Sequence, residues 1–91
     1  MFKYVLAGFM ARANLDYVEA AHYVDLLEDH RRDIELFATS IKADDDGAVM
    51  IGADLAELFA LGNTDDVLAR YECDAELKDL LLDIADDLIN G

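Results

Sequence analysis

The chain has 91 residues, 55% of them hydrophobic, and a formal net charge of −14 at pH 7, with 21 Asp and Glu against 7 Lys and Arg. The length makes one domain with a high ratio of surface to volume, residues 1–91 as a single acidic helical domain, and the hydrophobic fraction excludes the profile of intrinsic disorder. A field of this sign opposes binding to nucleic acid and to acidic membranes, and draws basic surfaces over roughly 8–10 Å at physiological salt.

The charge is polarised along the chain. Residues 44–91 hold eleven Asp, three Glu, one Arg and one Lys, a net −12, whereas residues 1–13 are +2 and residues 14–43 are −4. Arg12, Arg31, Arg32, Lys42, Arg70 and Lys78 are too few and too scattered for a nucleic-acid footprint. An acidic surface also suits a salt-loving host, but that reading spreads acid over the whole chain, and here the N-terminal segment is basic. A lone cysteine, Cys73, forms no internal disulfide and no paired-thiol metal site, so a cytoplasmic setting is the expectation. Met1–Ala13 lacks the uninterrupted apolar region of a signal peptide, and no stretch is long enough to span a membrane.

Proline is absent, and the apolar spacing is helical. Phe2, Val5, Leu6, Phe9 and Met10 form the stripe of a first helix ending near Asn14, weakened by Gly8. Asn14 or Asp16 caps a second, whose stripe runs through Val18, Ala21, Val24, Leu27, Ile34, Phe37, Ala38 and Ile41 and holds its phase across Asp29-His30-Arg31-Arg32-Asp33. Unbroken to Ala43, this helix is about 29 residues and roughly 44 Å long. The alternative is a break near Arg32 and a hairpin within residues 34–51, turning at Asp44-Asp45-Asp46-Gly47, because Phe37, Thr39 and Ile41 also alternate as a strand does. The helical phase inherited from Ile34 favours the long helix.

After Gly52 the pattern shortens. Asp54 caps Leu55–Leu61, which Gly62 ends; Asn63 or Thr64 caps Asp65–Tyr71; and Asp74 caps Ala75–Ile89, with Leu77, Leu80, Leu81, Ile84 and Leu88 as its stripe. Asp86 and Asp87 then fall at a helix C-terminus, where the macrodipole is already negative. The fold class expected is mainly α, a compact bundle of about five helices including one long helix, with an α+β fold containing the 34–51 hairpin as the alternative.

Catalytic and metal signatures are incomplete. Asp44, Asp46 and Gly47 match the middle of an EF-hand loop, but Lys42 and Ala53 stand where its first and last ligands belong, leaving a sharp acidic turn. Glu19 and His22 have the Glu-x-x-His spacing of carboxylate-bridged metal bundles without a second copy. Cys73 lies between Glu72 and Asp74, which suppress a thiolate. No cofactor and no metal are expected, and the chain reads as non-catalytic.

Gly52-Ala53-Asp54-Leu55 resembles the phosphopantetheine attachment region of acyl carrier proteins over four residues, but Leu55 stands where that family has its Ser, so carrier function is not implied. In overall profile, short, Asp-rich, strongly acidic and without a catalytic motif, the chain resembles small phage-encoded inhibitors that mimic DNA, anti-CRISPR proteins among them. That resemblance implies a non-catalytic inhibitor of a host defence complex or other DNA-binding protein, acting in the host cytoplasm through acid laid over a basic, nucleic-acid-binding surface. It assigns no residues. From position alone, Asp44, Asp45, Asp46, Asp65, Asp66, Asp83, Asp86 and Asp87 exceed what capping requires and are the candidate partner-binding face. The competing function is a small regulatory or homodimerising subunit whose interface is apolar, with Phe2, Tyr4, Phe9 and Tyr17 as its aromatics.

Overall fold

The first helix carries a glycine where a bundle helix ordinarily carries a side chain, and this sets how the chain packs. A computed structural model describes residues 2–62 and 64–90. Its helices are α1 (Phe2–Ala13), α2 (Tyr17–Asp29), α3 (Arg31–Ser40), α4 (Asp45–Leu61), α5 (Thr64–Leu68) and α6 (Ala75–Asn90), and no strand occurs among the described residues. A Cβ on Gly8 of α1 would lie 2.0 Å from the Val49 carbonyl oxygen, and one on Gly52 of α4 1.9 Å from that of Val5. The backbones of α1 and α4 therefore touch. Further along both helices Arg12 meets Glu57 at 3.2 Å, so the two run side by side in the same direction.

The other helices wrap this pair. α2 returns along it, with the Tyr23 ring tilted against those of Phe9 and Phe59 at centroid distances of 6.1 and 4.7 Å. It ends where the Arg31 guanidinium lies 5.0 Å over the Phe2 ring, at the N-terminal end of α1. α3 buries Ile34, Phe37 and Ala38, and α6 buries Leu81, Ile84, Ala85 and Leu88, in one core with Val5, Phe9, Ile51 and Leu55. No described helix is long and apolar enough to cross a membrane.

The mainly α class holds; four details differ. The long helix is divided at His30, whose backbone (φ −101°, ψ 11°) leaves α-helical geometry while its N–H still reaches the Leu27 and Glu28 carbonyls. One such residue bends the axis without inserting or deleting a position, so Leu27 and Ile34 keep their seven-residue spacing and the sequence period survives the break. The 34–51 hairpin is absent. Asp44, Asp45, Asp46 and Gly47 instead start α4, the Gly47 N–H donating to Asp44 Oδ1 at 2.7 Å. Gly52 and Asp54 lie inside α4, so neither marks a boundary and Asp54 is no cap. Finally, Phe2 and Phe9 are core residues and do not face an interface. Asp16 does cap α2, accepting from the Glu19 N–H at 2.8 Å, and Gly62 does end α4, at φ +66°.

Two predictions follow from backbone geometry. Gly8→Ala and Gly52→Ala should each cost about 3 kcal/mol or more by urea denaturation, because the neighbour is backbone and cannot rotate away, although Gly→Ala in an open helix ordinarily stabilises by about 1 kcal/mol. Lys42 follows α3 at φ +55°, a conformation that costs a residue with a Cβ about 1–2 kcal/mol. Lys42→Gly should therefore raise stability by about 1 kcal/mol in the same assay, despite removing a cation from an acidic protein.

Candidate functional site

Short Asp side chains hold their carboxylates close to the backbone, so helix geometry fixes where the acid sits. Asp44, Asp45, Asp46, Asp65, Asp66, Asp83, Asp86 and Asp87 are all exposed. The first three stand at the N-terminus of α4, and Asp65 and Asp66 stand in the first turn of α5, beyond the other end of α4. With 17 residues in α4, these two groups are about 25 Å apart along its axis. Asp87 Oδ2 lies 2.6 Å from His30 Nε2, and His30 adjoins Arg31, which covers Phe2. The last turns of α6 therefore come to the end of the α1/α4 pair that also carries Asp44–Asp46. Six of the eight carboxylates share that end, and the Asp65-Asp66 pair stands at the other.

Some of this acid has a structural role. Asp44 caps α4, while Asp45, Asp46, Asp65 and Asp66 occupy first turns, where the macrodipole favours a carboxylate by about 0.3–1 kcal/mol. Asp87 is tied to His30. Asp83 and Asp86 have neither role, and Asp86 lies towards the unfavourable end of the α6 dipole. Among the described residues Asp45, Asp46, Asp65, Asp66, Asp83 and Asp86 make no ion pair.

The arginines are directed elsewhere. Asp54, 2% exposed, accepts from Arg70 Nη1 on one oxygen and from the Tyr71 hydroxyl on the other, both at 2.5 Å. Arg70 Nη2 also lies 3.0 Å from Glu57 Oε2, and Arg12 Nη2 donates to Glu57 Oε1 at 3.2 Å. This chain of charges joins α1 to α4 and ties the segment after α5 back onto α4. Partial burial pushes the Glu57 carboxyl up, but the Arg12 hydrogen bond and the Arg70 charge outweigh it and hold it below its ordinary value. The Asp54 hydrogen bond raises Arg70 further against the cost of desolvation. Burial, then the Asp54 carboxylate beside it, push the Tyr71 hydroxyl far above its ordinary value. The Tyr71 ring packs edge-on against Phe37 at 5.2 Å.

Sequence reading missed this network by taking Asp54 for a cap. The available signal was its spacing: three residues after Ile51 and four before Leu58, Asp54 lies on the apolar face of any helix that contains both. Its two oxygens are both used by protein donors, so the network holds structure and leaves no free carboxylate for chemistry. Among the described residues no group of three or more His, Cys, Asp or Glu is arranged to hold a metal ion. Cys73 is half-buried against the core. No family model matches the chain, and no curated protein and no solved structure matches it either.

The Tyr71 hydroxyl provides a test of the network. A phenol held neutral in the folded state contributes stability that is full below its ordinary pKa of 10.0 and is lost as the pH rises beyond it, because the unfolded chain then gains by ionising. In a spectrophotometric titration the folded protein should show a tyrosine that stays un-ionised past pH 11, and Tyr71→Phe should remove that late component. At neutral pH Tyr71→Phe should cost about 1–2 kcal/mol by urea denaturation, with the gap to wild type closing above pH 10.

Proposed function

We propose that this protein is a non-catalytic inhibitor that occupies the basic, nucleic-acid-binding surface of a DNA-binding protein or host defence complex, in the manner of the anti-CRISPR-like DNA mimics its composition resembles. The observation that carries the reading is the division of labour among its charges. Arg12, Arg31 and Arg70 are held by carboxylates of their own chain, whereas among the described residues the exposed Asp45, Asp46, Asp65, Asp66, Asp83 and Asp86 make no ion pair. What the molecule presents outward is therefore acid, at a density close to that of nucleic acid. A net −14 along a 35 Å long axis is one charge per about 2.5 Å, against one per roughly 1.7 Å of duplex DNA. Rigid helices carry these carboxylates, so little ordering is required when a partner binds.

The six-carboxylate end, with Asp44–Asp46, Asp83, Asp86 and Asp87, is the proposed contact face, and Asp65 and Asp66 extend the field to the far end. Electrostatic complementarity of this kind acts mainly on association rate and on choice of partner. No membrane and no direct nucleic-acid contact enter the proposal.

Affinity capture from host lysate over a salt series tests it. The captured protein should bind nucleic acid, elute well below 1 M salt and be displaced by duplex DNA. Asp83→Lys/Asp86→Lys, which disturbs no cap and no ion pair, should weaken capture by about tenfold or more. A target that stays bound at 1 M salt and ignores DNA would end the mimicry reading.

A further inference from the structure

We infer that the end of the molecule where α1 passes into α2 is a docking surface for a basic amphipathic helix of the partner, an inference that rests on the basic-partner reading above. Tyr17 and Val18, the first two residues of α2, are 96% and 82% exposed. No other large apolar side chain described is as exposed as either. Beside them Met10, Leu15, Asp16, Tyr17 and Ala20 line an open groove of about 530 Å³, wide enough for at least one large side chain. Met10 and Leu15 also pack on the core, so the groove floor is anchored to the rigid α1/α4 pair.

Charge selects the occupant. Asp16 lines the groove, Glu19 follows it in the first turn of α2, both are exposed, and Asp16 spends one oxygen on its cap. Two arginines of this end are engaged, Arg12 by Glu57 and Arg70 by Asp54 and Glu57, and the exposed Asp65-Asp66 pair stands at the same end. An apolar groove with a negative rim fits a helix whose apolar stripe is flanked by Lys and Arg, laid in the groove by its i, i+3, i+4 side chains. A second copy fits poorly. It would bring another −14, and a two-fold contact would set Asp16 and Glu19 against their own mates. Acid steers a basic partner, and an aromatic anchor beside a pocket supplies the desolvated contact that holds it.

The test uses the full chain, labelled with ¹⁵N, and two synthetic helical peptides with the same number of Lys and Arg: one with a Leu/Trp stripe, the other with Ser in those positions. The amphipathic peptide should bind at least tenfold more tightly and shift the amide resonances of Met10, Leu15, Tyr17 and Ala20. Tyr17→Ser/Val18→Ser should lose that tenfold while binding the Ser peptide unchanged. Should the double variant fold poorly by circular dichroism, Tyr17→Ser alone serves instead, with the same direction expected. Equal binding of the two peptides, or shifts confined to Asp44–Asp46 and Asp83–Asp87, overturns the docking surface and leaves the basic-partner reading standing. Binding of neither peptide overturns both. A concentration-dependent dimer in sedimentation that dissociates in Tyr17→Ser/Val18→Ser makes the occupant a second copy and overturns the proposal.

Discussion

Backbone contact between α1 and α4 at Gly8 and Gly52 is the constraint on which the remainder of the structure rests. Where two helices meet without side chains between them, their separation and register are set by carbonyl and Cα positions, and neither repacking nor a rotamer change can alter them. Ala48 and Ala56 continue the small-residue row on α4 one turn to either side of Gly52, and both are buried. Phe9 and Val5 flank the contact and carry it into the core. A parallel pair so close cannot come from a short hairpin. The chain must travel back the length of α1 before α4 can begin, and α2 and α3 are that return path. Dividing the return at His30 lets α3 turn across and bury Phe37 while α2 stays alongside α1.

A chain carrying −14 pays for compactness in self-repulsion, and two of its seven Lys and Arg, Arg12 and Arg70, are placed where they offset it at a joint. Arg12 and Arg70 converge on Glu57, and Arg70 and Tyr71 satisfy the buried Asp54, so the segment between α5 and α6 is fastened to α4 by charge and by the Tyr71 ring. Removing one partner from such a network leaves another unsatisfied, which makes it a specific fastening and not an additive store of stability. His30 beside Asp87 plays the corresponding part at the other end, joining the α2/α3 break to the last turns of α6. Cations spent on these joints are not present to neutralise the Asp groups on the surface.

The apolar stripes of α1 and α6 were legible in the sequence because their buried residues recur at helical spacing along one face, which is the case periodicity describes. Asp16 and Gly62 were legible because caps act locally. The break at His30 was legible only within the alternative of a break near Arg32, since Leu27 and Ile34 keep a helical spacing whether or not the residue between them bends. Asp54 was misread because an Asp before an apolar run is locally a good cap, and only Arg70 and Tyr71, distant along the chain, make burial the better outcome. Gly8 looked like a weak point and Gly52 like a boundary for the same reason: their value lies in a neighbour that the linear sequence does not display. The exposure of the eight Asp residues follows from their lying off the stripes. Their division into a group of six at one end and a pair at the other required the parallel arrangement of α1 and α4.

Structure and the proposed recognition overlap in this acid, and local electrostatics separates them. A carboxylate in a first turn is placed as any stable helix would place it, so Asp45, Asp46, Asp65 and Asp66 are explained twice over and say little about function by themselves. Asp83 and Asp86 are explained by neither cap, dipole nor ion pair, and Asp86, near the C-terminal end of α6, stands against the field of its own helix. A sequence shaped by stability alone would set Lys or Arg there, as it has no shortage of acid to offset. Because the penalty is about 0.3–1 kcal/mol at an exposed site, it is small enough to be tolerated and large enough to be removed by ordinary substitution were nothing gained from it. The side of α6 carrying Asp83 and Asp86 is thus where the contribution of the proposed basic partner would be most cleanly distinguished from the protein's own folding.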